Sequence, residues 1–268
     1  MLKILFFGDI NGKIGRKALK KALPQMKKEF KPDVIIANAE NAAHGKGITE
    51  ATIVELMEAG VEFFTLGDHA FDRETQAEQI FTKGLPVVRP ANFPTEVPGK
   101  GYSVIKKGKH KILVINLLGR VFMSMDYNCP FREIEAILAV ENLASENLSA
   151  IIVDIHAEAT SEKIAMGYYL DGKVSAVLGT HTHVMTNDAK ITESGTAYIT
   201  DVGMVGASDG VLGVKKEDII KTFLTQVKYK HEIPESGPAM LNGVLVTIDE
   251  KSKKAIEIKS IIKNININ

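Results

Sequence analysis

Five times along this chain a short apolar run, of the kind that makes a buried strand, stops at a residue able to hold a metal ion. Ile4-Leu5-Phe6-Phe7-Gly8 ends at Asp9, Val34-Ile35-Ile36-Ala37-Asn38-Ala39 at Glu40-Asn41, and Phe63-Phe64-Thr65-Leu66-Gly67 at Asp68-His69. Ile151-Ile152-Val153-Asp154-Ile155 ends at His156, and Ser175-Ala176-Val177-Leu178 runs into Gly179-Thr180-His181-Thr182-His183. Ligands of α/β proteins bind outside the carboxyl ends of strands, so such a fold would bring these clusters to one place.

Helical patterns alternate with these strands. Gly15 to Phe30 puts Ala18, Leu19, Ala22, Leu23, Met26 and Phe30 on one stripe with lysines opposite. Pro24 falls inside it and is expected to kink or shorten it. A second helix is expected from Thr49 to Ala59, with Thr49 as N-cap and Gly60 as the stop. Others are expected near Arg132–Ser145 and Lys216–Val227. Further strands fall at 112–117 and 197–200. Gly243–Ile248 and Ala255–Ile262 close the chain and alternate apolar with polar residues, as half-exposed antiparallel strands do. The pattern predicts one α/β layered domain over residues 1–268, with a central sheet. The proline-rich loop at 89–99 and the loop at 122–132 are expected to lie over the site as small cap elements.

Composition narrows the classes. The chain has 33 basic and 33 acidic residues, so no broad basic face for duplex DNA is expected. The single Cys129 excludes an intramolecular disulfide and a cysteine-rich zinc module. Asp9 interrupts the first apolar run too early for a signal peptide, and no segment approaches the ~20 apolar residues of a membrane span. The expected setting is the cytoplasm.

Asp9, Glu40, Asn41, Asp68, His156, His181 and His183 are too many N and O ligands for one zinc. They point to two metal ions and to hydrolysis. Two ions side by side need a bridging carboxylate, for which Glu40 is the candidate. Asp9, Asn41 and His183 would hold one ion; Asp68, His156 and His181 would hold the other. Imidazole with carboxylate suits Fe, Mn, Zn or Co. Water between two such ions has its pKa pulled toward neutrality and becomes the nucleophile. His69, next to a ligand, is placed to protonate the leaving oxygen. The loop from Asn41 to Gly47 offers backbone N–H groups, His44 and Lys46 to a phosphate. Singly, each acid is more easily a helix cap and each histidine a hydrogen-bonded structural residue. Capping does not explain five clusters at five strand ends.

Together these residues resemble the calcineurin-like metallophosphoesterases, and more closely their bacterial YmdB-like branch. The matching stretches are Gly8 to Gly12, Asn38 to Gly47, Arg89 to Pro94, Asp154 to Lys163, Gly179 to His183 and Thr200 to Met204. The resemblance covers nearly the whole chain. It implies a four-layer α/β/β/α sandwich with a small cap and a dinuclear centre, often iron. It also implies phosphodiesterase activity on small phosphodiesters, including 2′,3′- and 3′,5′-cyclic nucleotides, with homo-oligomers and a link to RNA turnover. One position departs: the family pattern at 67–69 is Gly-Asn-His, and this chain has Gly-Asp-His. The extra negative charge on Asp68 opposes a phosphoryl group at the site. Two other readings therefore stay open: a phosphomonoesterase or RNase, and a regulatory metal- or nucleotide-binding protein with weak catalysis.

Overall fold

The computed structural model describes residues 1–140 and 147–268. Where the sequence pattern suggested one central sheet, the described residues form two. In the first, β1 (Leu2–Phe7) pairs in parallel with β3 (Val34–Asn38), which pairs in parallel with β4 (Phe63–Thr65). On its other side β1 lies antiparallel to β12 (Gly237–Ile248), which also pairs with β13 (Ala255–Ile267) and β11 (Met204–Ala207). The short β2 (Asp9–Ile10) completes this sheet beside β11. The second sheet runs in the order β5 (Tyr102–Lys107), β6 (His110–Leu118), β7 (Ala150–His156), β8 (Ala176–Thr180), β10 (Ala197–Ile199), β9 (Lys190–Ile191).

Successive strand residues point to opposite faces, so each sheet serves two cores. Leu2, Ile4, Phe6, Val34 and Ile36 of the first sheet share a cluster with Ile112, Val114, Ile152 and Leu178 of the second. The alternate residues Leu5, Phe7, Ile35 and Ala37 pack with Ala18, Leu19, Leu23 and Met26 of α1 (Gly12–Phe30). On the far side, Leu113, Ile115, Val153 and Val177 pack with Ile134 and Ile137 of α4 (Pro130–Leu138) and Met166 of α5 (Thr160–Tyr169). Apolar residues at every strand position thus reflect cover on both faces. That pattern says nothing about which strands share a sheet.

Pro24 does not shorten α1, which continues to Phe30. The proline lies on the exposed face, while Leu23 and Met26 beside it are fully buried and hold the helix to the sheet. β12 is not half-exposed either. It is interior to its sheet, and its polar residues Asn242 and Thr247 are buried with the rest. Helices α3 (Glu74–Thr82) and α5, and strands β2, β5, β9 and β11, were not apparent in the sequence pattern. α6 (Lys216–Thr225) falls where a helix was expected. Of the helix expected at Arg132–Ser145, positions 141–145 lie outside the described residues.

The ends of α2 (Glu50–Ala59) follow the local chemistry. Thr52 N–H donates to Thr49 Oγ1 at 3.2 Å and Thr49 N–H to Thr52 Oγ1 at 3.0 Å, a reciprocal cap. Gly60 ends the helix at φ 107°, a conformation that costs other residues. We expect Thr49→Ala to lose about 1 kcal/mol of stability. A melting temperature lowered by roughly 2–4 °C would show it; an unchanged one would mean that the cap contributes nothing.

Candidate metal centre

Asp9 follows β1, Glu40 and Asn41 follow β3, and Asp68 and His69 follow β4, all in the first sheet. His156 ends β7, and His181 and His183 follow β8, both in the second. Five strand ends from two facing sheets therefore meet at one shared edge.

His156 Nε2 is the hub. It lies 3.2 Å from Glu40 Oε1, 3.2 Å from Asp68 Oδ1 and 3.0 Å from His181 Nδ1. One ligand atom from each of these four residues lies within 4.8 Å of all the others. Bonds of ~2.0–2.2 Å to an ion space its ligands this way. Beside this group His183 Nε2 lies 3.8 Å from Asp9 Oδ1 and 3.2 Å from the Asn41 amide nitrogen. Asn41 donates to Glu40 Oε1 at 3.0 Å, so Glu40 touches both groups. The Asn41 amide turns its nitrogen, not its oxygen, to His183 and Glu40, and would have to rotate half a turn to act as a ligand.

The residues fit a metal pair. Asp9 Oδ1 is buried with no hydrogen-bond partner among the described residues, only His156 and His183 ring nitrogens at 3.8 Å, a costly state for a carboxylate that a cation would relieve. The donors are carboxylates and imidazoles, the set that suits Fe, Mn and Zn.

Further residues orient these ligands. Thr180 Oγ1 donates its single proton to Asp154 Oδ1 at 2.7 Å, so it accepts from His156 Nδ1 at 2.9 Å and leaves Nε2 facing the cluster. Asn38 donates to Leu66 O and to Asp154 Oδ2, each at 3.1 Å. Burial pushes the Asp154 carboxyl up to about 6, against the pull of His156 and the two threonine hydroxyls. His181 Nε2 meets Glu158 Oε2 at 3.1 Å, and His183 Nδ1 meets Leu212 O at 3.2 Å. Between the two histidines, Thr182 donates from its N–H (3.0 Å) and its hydroxyl (2.8 Å) to Asp201 Oδ2. The buried Asp201 is itself paired with the buried Lys163 at 2.7 Å. Gly67 is required for space: a Cβ there would fall 2.2 Å from Glu40 Oε2 and 2.3 Å from His156 Nε2.

His69 N–H donates to Glu40 Oε2 at 3.0 Å, and its Nδ1 lies 3.0 Å from Asp72 Oδ2. The ring lines the cleft over the site, a space of about 320 Å³. His44 and Lys46 are exposed, and of their loop Asn41 and Gly45 line that cleft. The loop at 89–99 is pinned by its own polar residues. Arg89 donates to Pro90 O at 2.8 Å and Val97 O at 3.0 Å, and Asn92 donates to Leu118 O at 2.8 Å. Phe93 packs edge-on against Phe71 and against Tyr127, at 5.6 and 5.0 Å. Tyr127 lies in the segment before α4, and that helix, starting at Pro130, takes the last three positions of the loop expected at 122–132. Burial, and then the Asp68 charge, push the Tyr127 hydroxyl up.

The electrostatics of the shell are mixed. Burial raises the Asp9 carboxyl. Burial acts the same way on Glu40, but His156 outweighs it and the carboxyl is held below its ordinary value. Asp68 is held far down, where bonds to His156 and His181 overcome burial. Burial opposes charge on His156, yet Glu40 and Asp68 push it well up. The metal-free shell thus favours the protonated form of His156, and a cation has to displace that proton. Apparent metal affinity should therefore rise with pH, by up to about tenfold per unit where one proton is released. Chelator competition between pH 6 and 8 reads this, and an affinity flat with pH would contradict it.

Two sheets with helices outside carry a carboxylate–histidine shell at their shared edge. The chain belongs to the family of YmdB-like proteins, whose model matches residues 5–261. A 2′,3′-cyclic-nucleotide 2′-phosphodiesterase of Bacillus subtilis (strain 168) is 44% identical over 264 residues, 98% of this chain and 97% of that protein. The crystal structure of a novel phosphatase from Mycoplasma pneumoniae superposes with a TM-score of 0.90 at 36% identity, covering 100% of this chain and 94% of the other. A 5′-nucleotidase precursor from Thermus thermophilus shares the fold alone, at 13% identity and TM-score 0.55, over 99% of this chain and 54% of its own. No helix among the described residues is long and apolar enough to cross a membrane.

Proposed function

We propose that this chain is a metal-dependent phosphodiesterase acting on small phosphodiesters, 2′,3′- and 3′,5′-cyclic nucleotides foremost. The observation that carries this is the convergence of Glu40, Asp68, His156 and His181 within 4.8 Å. The Bacillus subtilis relative, named for that activity, supports it along nearly the full length of both chains. Asp9, Asn41 and His183 would hold one ion and Asp68, His156 and His181 the other, with Glu40 serving both. Iron is the first choice, with manganese and zinc suited to the same donors. When bound, such a pair supplies positive charge at the phosphoryl oxygens and lowers the pKa of water enough for it to attack phosphorus.

The chain's own residues do the rest. Asp72 accepts from His69 Nδ1 and holds the ring over the cleft, so that Nε2–H passes its proton to the leaving ribose oxygen. His44, Lys46 and the backbone N–H groups of their loop receive the phosphate at the rim. The reading includes a cytoplasmic homo-oligomer; its alternative within enzymes is a phosphomonoesterase or an RNase acting on short RNA.

We expect His69→Ala to keep its metal content but lose about 10²–10⁴-fold in turnover of 2′,3′-cyclic AMP. Metal analysis beside the assay separates the roles, because loss of metal would make His69 a ligand.

Asp68 favours a second reading, a nucleotide-binding regulator that turns over slowly. Its charge stands 3.2 Å from His156 Nε2 and 3.5 Å from His181 Nδ1, where it offsets the cationic charge available to a phosphoryl group. Asp68→Asn should raise turnover of bis-p-nitrophenyl phosphate about tenfold, equivalent to about 1.4 kcal/mol of transition-state stabilisation. Equal or lower turnover at equal metal content would remove the charge explanation. Iron- or manganese-reconstituted protein that binds 2′,3′-cyclic AMP tightly without forming product would favour the regulator.

A further inference from the structure

Val211 and Val214 exchange both backbone hydrogen bonds, at 2.9 and 3.0 Å, leaving Leu212 and Gly213 as a two-residue turn. Their φ values are 52° and 83°. A turn with both central residues at positive φ favours asparagine and glycine, and leucine is strained there. Half of the Leu212 side chain (48%) is exposed, so burial within the protein does not offset the strain. The Leu212 carbonyl has a clear use: it accepts from His183 Nδ1 at 3.2 Å and from Asn11 Nδ2 at 3.1 Å. Glycine would supply that carbonyl more easily. The isobutyl group is what remains unexplained, and strain of this kind points to function.

Leu212 lines the cleft together with Val214 and Ile233. Ile233 is held in place by a missing side chain: a Cβ on Gly45 would fall 2.1 Å from Ile233 Cδ1. Asn11 lines the same cleft and is 3% exposed. Its Nδ2 is spent on Leu212 O, and its Oδ1 has no partner among the described residues. A buried acceptor left unpaired is costly, and a ligand donor would satisfy it. His69, Glu158 and His181 are among the polar residues of the cleft.

We propose that this wall binds the nucleoside of the substrate, its base lying on Leu212, Val214 and Ile233 and one of its N–H or O–H donors meeting Asn11 Oδ1. The proposal rests on the phosphodiesterase reading and extends it from the phosphodiester to the group it carries. A bare phosphodiester has neither an apolar face nor a donor, whereas a nucleoside has both. A cleft of about 320 Å³ is in the size range of small-molecule sites.

The test compares adenosine 2′,3′-cyclic phosphate with glycerol 1,2-cyclic phosphate, which has the same five-membered ring and no base. Leu212→Gly preserves the turn, since glycine adopts its φ freely. Ile233→Ala cuts the wall at a residue with no bond to His183. In each variant the ratio of kcat/KM between the two substrates should fall about tenfold, through KM for the nucleotide, as loss of one apolar contact implies. A ratio equal to the native one in both variants overturns the proposal. If the native metal-loaded protein hydrolyses neither compound, the phosphodiesterase reading fails separately, and equilibrium dialysis with adenosine decides about the wall. Weaker binding in both variants then supports it; equal binding, or no binding to the native protein, overturns it.

Discussion

Everything at the shared edge of the two sheets depends on one constraint: carboxylates buried at close quarters need positive charge. Asp9 and Glu40 are almost wholly removed from water, Asp68 is largely so, and Asp154 lies directly behind them. Burying one ionised group costs several kcal/mol even after the protein relaxes around it. A raised His156 answers part of the demand in the metal-free protein, standing 3.2 Å from both Glu40 and Asp68. Asp9 Oδ1, with no hydrogen-bond partner among the described residues, is left over. Strength for this arrangement comes from the fold. The strands that carry the ligands are covered on both faces, and the three apolar clusters hold their ends in register.

The three candidate ligand histidines are oriented by three different partners. His156 is set by a hydroxyl whose own proton is committed to Asp154, His181 by the Glu158 carboxylate, and His183 by a backbone carbonyl. Each arrangement turns one ring nitrogen toward the cluster. The segment bearing the last two is backbone-strained, with φ 102° at His181 and 63° at His183. Such conformations persist only where the surroundings over-determine them. Here the surroundings are Asp201, gripping Thr182 by both its N–H and its hydroxyl, and Lys163, paired with Asp201 at 2.7 Å in a dry interior.

The ligand shell was legible in the sequence because metal-capable residues at the ends of apolar runs are hard to explain otherwise. Asp9, Glu40, Asp68, His156, His181 and His183 all came from that pattern, and the structure brings them together. The residues behind them were not legible. Thr180, Asn38, Glu158 and Lys163 are ordinary types whose roles depend on distances across 23 to 116 positions of chain, the longest between Asn38 and Asp154. Asp154 did carry a signal, an acid inside a strand covered on both faces, which has to be satisfied by something. The two-sheet division was hidden for a related reason. A strand buried on both sides is apolar throughout, and nothing in its composition tells which neighbour it pairs with. Local chemistry was the more reliable guide, as the Thr49 cap and the Gly60 stop show.

Asp68 and Leu212 stand on different parts of this site and pull its behaviour in different directions. Asp68 adds charge where a phosphoryl group needs the opposite sign, and its pairing with His156 and His181 stabilises the shell when no ion is present. Leu212 adds an apolar face where the backbone would rather have glycine. A charge that weakens attraction for any phosphodiester makes the remaining contacts matter more, because less of the binding energy comes from the anion they all share. A site tuned that way gives up affinity for phosphate in general and keeps it for the phosphodiester whose organic group fits the wall. Specificity is a difference between affinities, and lowering the common part enlarges the share that discriminates.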